Sequence, residues 1–185
     1  MFSYNLDEDL RLALPEIGQA EEVAAVVRTN LEHLKPWMPW AADDYSEEHA
    51  REWIRRTLEE FVRDGRFQAL IIFRGRIIGS IGFHALDTAN RSAAIGYWID
   101  KGHEGRGIIT RATRVLIDYL FDTMQLNRVE IRCNTENVRS RSIPERLGFK
   151  LEGTLREAEC INGKFGDWAV YGLLRNELSQ RTMES

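Results

Sequence analysis

The chain is short of several things that would send it to other functions. Its 185 residues include only 2 cysteines, Cys133 and Cys160. That is too few for a disulfide scaffold, so a reducing cytoplasm is the expected compartment. No run approaches the ~18 apolar residues a membrane span requires. The first ten residues are acidic and lack the basic-then-apolar pattern of a secretory signal. There is no low-complexity stretch, repeat or Gly/Pro/Ser-rich linker, and the length suits one domain over residues 1–185. His33, His49, His84 and His103 show no metal-ligand spacing and no Cys/His cluster exists, so no metal is expected. A long Lys/Arg run is also missing and the net charge is −4, which argues against direct nucleic-acid binding.

What is present is a globular composition, 43% hydrophobic and 29% charged, too apolar for a disordered chain. The net charge conceals an asymmetry. Residues 1–66 carry 8 basic and 15 acidic groups, whereas residues 67–185 carry 17 basic and 14 acidic ones. One part of the molecule therefore suits an anionic ligand and the other a cationic one, unless the imbalance is only surface decoration.

Hydrophobic periodicity orders the chain. Leu10 to Leu14 alternates as a first strand, and Val23, Val26, Val27, Leu31 and Leu34 mark a helix over 18–34. Ser46 is an N-cap candidate for a second helix, with Glu47 and Glu48 in its first turn. Phe67–Phe73 and Ile77–Phe83 predict a hairpin about Gly75, and Ser92–Asp100 a third strand. A helix is predicted over 108–124, a strand over 127–133, and a helix over 138–147 ended by Gly148. Phe149–Ile161 and Phe165–Leu174 close the pattern around an Asn162-Gly163 turn. The order β-α-α-β-β-β-α-β-α-β-β predicts an α/β fold on a mixed, mostly antiparallel sheet. A doubly wound dinucleotide fold lacks support, because regular βα alternation is missing.

Lys101 to Thr110 carries the most chemistry. It follows a strand, opens a helix, and reads Lys-Gly-His-Glu-Gly-Arg-Gly-Ile-Ile-Thr. Helix N-terminal amides attract anions, and glycines let a ligand approach the backbone. Lys101, Arg106, Arg111 and Arg114 add positive charge. A pyrophosphate is the natural guest; a plain chain-turning loop is the alternative. No Gly-Lys-Ser/Thr follows, so it is not a P-loop.

These residues resemble the pyrophosphate loop of the GNAT N-acetyltransferases, which usually reads Gln/Arg-x-x-Gly-x-Gly/Ala. Gly107 matches its first glycine; Glu104 and Ile109 depart from it. The likeness continues through Ile78-Gly79, Ile95-Gly96-Tyr97-Trp98, Asn137 with Ser140, Leu147-Gly148-Phe149 and Leu151-Glu152-Gly153, and is closest to the RimJ/RimL branch. It implies a GNAT fold with a splayed central strand pair and flanking helices. It implies acetyl-CoA as co-substrate, held by the amides of Gly105, Arg106, Gly107, Ile108, Ile109 and Thr110. It also implies that Asn137 holds the CoA arm and that a backbone N–H at Trp98 or Ile99 polarises the thioester. A homodimer is expected mainly from the resemblance.

The general acid is the main departure. Many GNAT enzymes place a tyrosine seven residues after the asparagine; here that position is Pro144, which has no proton to give. Ser140 is the matching replacement in the RimL-like branch, with a helix-capping serine as the alternative. Glu159 matches the acidic residue proposed as base there, and Glu130 is a second candidate. An α-amine of pKa ~7.7–8.0 costs only about 1 kcal/mol to deprotonate at pH 7, against about 4.6 for lysine. A weak base therefore suffices for a protein N-terminus. Cys133 is expected to be a buried structural thiol, leaving direct attack in a ternary complex as the expected route. Trp37 and Trp40, in a Pro-bracketed loop near acidic Asp43, Asp44, Glu47 and Glu48, are the expected acceptor rim, while Trp53 reads as core. The expected acceptor is the α-amine of a ribosomal or other protein. A polyamine or antibiotic amine, or a silent acyl-CoA sensor, are the alternatives.

Overall fold

The alternation of Leu10, Leu12 and their neighbours does form a strand, and it joins a larger sheet. The computed structural model describes residues 3–182; both ends of the expected 1–185 domain lie outside them. The strands are β1 (Ser3–Asn5), β2 (Leu10–Ala13), β3 (Gln68–Phe73), β4 (Arg76–Asp87), β5 (Ser92–Ile99), β6 (Arg128–Asn134), β7 (Lys150–Ile161) and β8 (Lys164–Leu174). The helices are α1 (Ala20–Thr29), α2 (Leu31–Leu34), α3 (Glu47–Asp64), α4 (Ile108–Asp118), α5 (Val138–Leu147) and α6 (Arg175–Thr182). The sheet order is β1-β2-β3-β4-β5-β6-β8-β7. The β5–β6 pair is parallel, and β2–β3, β3–β4, β6–β8 and β7–β8 are antiparallel. Among the described residues, no helix is long and apolar enough to cross a membrane.

Turn chemistry explains the hairpins. Arg74 and Gly75 both have positive φ (49° and 78°) between Phe73 and its partner Arg76. Asn162 and Gly163 repeat this (51° and 77°) between Ile161 and Lys164. Two successive left-handed residues match the twist of the flanking strands, which is why glycine closes each turn. Ser46 caps α3 as expected, but His49 completes the box by accepting the Ser46 N–H on Nδ1 at 3.1 Å.

Packing groups the chain into two compact units. One comprises residues up to Gly82 together with Tyr97–Ala112; the other comprises Phe83–Gly96 and Thr113 onward. In the first unit, Val23, Ala24 and Val27 of α1, Ala50 and Ile54 of α3, and Leu70 and Ile72 of β3 share a core with Trp98. Trp53 packs against that core, as its helical spacing suggests. In the second unit, Ile95, Leu120, Phe121, Val129, Ile131, Tyr171 and Leu173 are almost fully buried. The expected helix over 18–34 breaks at Asn30 (φ −110°, ψ 11°). The expected helix over 108–124 loosens into a π-helical turn at Tyr119–Thr123.

Candidate active site

In the first unit, β5 ends at Ile99 and Asp100 starts a short 3-10 turn, Lys101–His103. Gly105 and Gly107 both adopt φ of 71°, and a Cβ built on either would meet nothing within 4 Å. The space above both residues is open, and both backbone conformations favour glycine. The Arg111 N–H bonds the Gly107 carbonyl at 3.0 Å, so α4 begins at the loop's last glycine. The first-turn amides of Ile108, Ile109 and Thr110 therefore stand at the positive end of the α4 dipole. Lys101 and Arg106 are exposed beside them. Arg111 is engaged elsewhere, on Asp7 at 2.6 Å. His103 Nδ1 lies 2.6 Å from Asp100 Oδ2, and Glu104 lies 3.4 Å from His33 Nε2.

The end of β5 is tightly held. The Asp100 N–H donates to the Ile78 carbonyl at 2.7 Å. A Cβ on Gly79 would lie 2.3 Å from the Trp98 carbonyl oxygen, so only glycine allows this approach of β4. Trp98 is buried with its ring 5.9 Å from that of Trp40. Trp40 is exposed, lies 5.8 Å from Tyr45, and marks an aromatic surface; Trp37 is half-buried. The β5–β6 register covers only Ser92–Ile95 with Arg128–Ile131, while β5 runs on to Ile99 and β6 to Asn134.

The second unit brings Asn137, Ser140, Cys133 and Glu159 into defined settings. The Asn137 side chain caps α5 by accepting the Ser140 N–H at 3.0 Å. Burial pushes the Cys133 thiol up to about 11, and a hydrogen bond from Ser140 only partly offsets it. Cys133 is therefore a neutral, buried thiol and a poor nucleophile. Glu159 is half-buried and accepts one hydrogen bond from Asn134 Nδ2, at 2.5 Å. Gly166 is the direct cross-strand partner of Glu159, and a Cβ there would lie 2.5 Å from that same Nδ2.

Glu130 has a different setting. It accepts from Arg128 at 2.7 Å and from Arg132 at 2.7 Å. Partial burial pushes its pKa up, but these guanidiniums overcome that and hold it below the ordinary value. The signal was in the sequence, since residues 128, 130 and 132 share one face of a strand. Sequence reasoning missed Tyr171. It is 1% exposed on β8, donates to Glu145 at 2.7 Å and accepts from Arg141 at 3.0 Å, tying β8 to α5.

A family model described as an acetyltransferase (GNAT) domain matches residues 9–150, well over half of the chain. This chain belongs to the GNAT acetyltransferases. It is 38% identical over 182 residues to the putative ribosomal N-acetyltransferase YdaF of Bacillus subtilis (strain 168), covering 96% of this chain and 97% of that protein. It is 30% identical to the ribosomal-protein-serine acetyltransferase of Escherichia coli (strain K12), covering 90% and 93%. The crystal structure of the microcin C7 self-immunity acetyltransferase MccE with acetyl-CoA and AMP matches with a TM-score of 0.87 at 28% identity, over 91% of this chain and 94% of that one. As a GNAT enzyme, the chain is an acetyl-CoA-dependent N-acetyltransferase. The mostly antiparallel sheet with flanking helices is the fold of that family. Among the described residues, no group of three His, Cys, Asp or Glu could hold a metal. The Gly105–Thr110 segment suits a pyrophosphate: it offers open backbone, a helix N-terminus and exposed cations.

Proposed function

We propose that this GNAT enzyme acetylates the N-terminal α-amine of a ribosomal protein by direct attack on acetyl-CoA. The observation that carries the reading is the near-full-length match to two relatives named for ribosomal acetylation, at 38% and 30% identity. The amides of Gly105, Arg106, Gly107, Ile108, Ile109 and Thr110 hold the pyrophosphate, and Asn137 holds the CoA arm. A backbone N–H at Trp98 or Ile99 polarises the thioester carbonyl, a role commonly worth ~3–4 kcal/mol per donor. Glu159 accepts the amine proton directly or through water, and Ser140 donates to the departing sulfur. Glu130 is not used, since its carboxylate is neutralised by two arginines. Trp37 and Trp40 form the acceptor rim. The enzyme works in the cytoplasm as a homodimer.

The test follows free thiol release from acetyl-CoA with N-terminal Ser, Thr or Ala peptides, polyamines and aminoglycosides. Ser140→Ala is expected to lower kcat far more than it weakens CoA binding; equal loss of both removes its acid role. Turnover with polyamines or aminoglycosides but no peptide overturns the ribosomal acceptor. It would favour a small-molecule amine as acceptor.

A further inference from the structure

Asn30 sits where α1 breaks from α2 and is 5% exposed. A buried amide at such a break needs partners, and it has three. Its Nδ2 donates to the Val26 carbonyl at 2.9 Å and to Asp100 Oδ1 at 2.7 Å. Its Oδ1 accepts the Lys101 N–H at 2.9 Å. The three partners fix which way the amide points: a flip would set oxygen against two oxygens and N–H against N–H. Two of the three bonds leave the local helix for a segment some seventy residues away. The break itself does not require them, because the Asn30 backbone N–H already closes α1 on the Val27 carbonyl.

Those two bonds hold a strategic corner. Asp100 is the residue between the end of β5 and the glycine loop. Its other oxygen lies 2.6 Å from His103, and its N–H is held by Ile78. Burial alone would raise the Asp100 pKa, but the bonds from His103 and Asn30 leave it lowered, so the carboxylate is a firm acceptor. Midway along the loop, Glu104 meets His33, three residues after Asn30 on the helical segment. The Asp100–Gly107 loop is thus tied to the α1–α2 joint at two points.

We infer that Asn30 is a positioning residue for acetyl-CoA: it presets the loop that receives the pyrophosphate. The inference rests on the reading of Gly105–Thr110 as the phosphate site. The loop amides only bind an anion well if they already converge, and a buried amide fixes them at lower entropic cost than mobile surface contacts. Asn30 itself touches no substrate.

The experiment titrates coenzyme A into the full chain by calorimetry and measures kinetics with a peptide acceptor. Asn30→Ala is expected to raise the CoA Kd by about tenfold or more, the equivalent of one charge-assisted hydrogen bond. The acceptor KM at saturating acetyl-CoA stays unchanged. The exchange Asn30→Asp with Asp100→Asn rebuilds the two bonds to the loop with their polarity reversed, since the carboxylate introduced on the helix would accept both the Lys101 N–H and the new amide, while it loses the bond to the Val26 carbonyl and sets an oxygen against it. That double variant is expected to bind CoA more tightly than either single variant, a coupling that a mere packing role for Asn30 would not give. Gly107→Ala serves as the control on the loop. If Gly107→Ala leaves CoA affinity intact, the loop is not the phosphate site and the inference falls with that reading. If Gly107→Ala weakens CoA while Asn30→Ala only lowers the melting temperature, the loop reading stands. Asn30 is then a packing residue, and this inference alone is overturned.

Discussion

Gly166→Ala tests how Glu159 is held. The new Cβ would lie 2.5 Å from Asn134 Nδ2 and 3.4 Å from Glu159 Oε1. Ordinary contact needs about 3.5 Å or more, so the amide must retreat by about 1 Å. It cannot do so freely, because its Oδ1 accepts the Glu136 N–H at 2.8 Å. The bond from Nδ2 to Glu159 therefore gives way. A hydrogen bond to a charged group is worth about 1.5–3 kcal/mol in stability, part of which water returns at this half-buried site. The larger effect falls on rate, where a misplacement of about 1 Å can cost about 100-fold. We expect kcat to fall by about 10- to 100-fold, with CoA affinity within about twofold of wild type. Thiol release at saturating acetyl-CoA, followed from about pH 6 to 9, reads this directly. Asn134→Ala run alongside should reproduce the loss. A wild-type kcat and pH profile in Gly166→Ala would refute the proposal that Glu159, held by Asn134, is the base.

Three further outcomes follow from burial and close approach. Cys133 is expected to resist alkylation near pH 8 while exposed Cys160 reacts; rapid labelling of both, counted by mass spectrometry, contradicts the burial argument. Because folding raises the Cys133 pKa to about 11, its contribution to stability is fully present below about 9 and is lost as pH rises through about 11. Cys133→Ala should flatten that alkaline limb in urea titrations. Gly79→Ala forces a Cβ to 2.3 Å from the Trp98 carbonyl, backbone against backbone, and is expected to cost about 3 kcal/mol. An unchanged melting temperature would show that β4 can move away from Trp98 without loss.

The parts of the fold legible in the sequence were those written in local chemistry. The α5 helix runs over 138–147 as its spacing suggests, and Gly148 ends it in the left-handed region at φ 75°. The Asn162-Gly163 turn follows from the residue types that accept both positive φ values cheaply. Other elements left no such trace. β1 exposes all three of its residues, and α6 carries almost no apolar periodicity. The break at Asn30 was hidden because Val23, Val27, Leu31 and Leu34 keep helical spacing across it. Its side chain is held by a pairing with Asp100 that no local window contains. The site divides the same way. The glycines before α4 were readable from spacing. The holder of Glu159 was not, because Asn134 and Gly166 meet it only through strand register.

The order in which the two units are written along the chain bears on how the protein is made. Every residue of the unit that carries the glycine loop has been synthesised by Ala112, although Phe83–Gly96 interrupts it. The other unit holds that early segment and must wait for β6, α5, β7 and β8. Chains grow at about 5–20 residues per second, and N-terminal units fold first. On the ribosome, the unit that carries the glycine loop is therefore complete in sequence while Phe83–Gly96, with apolar Ala93, Ala94 and Ile95, still awaits its partners. That interval is when the newborn chain most needs shelter from its neighbours.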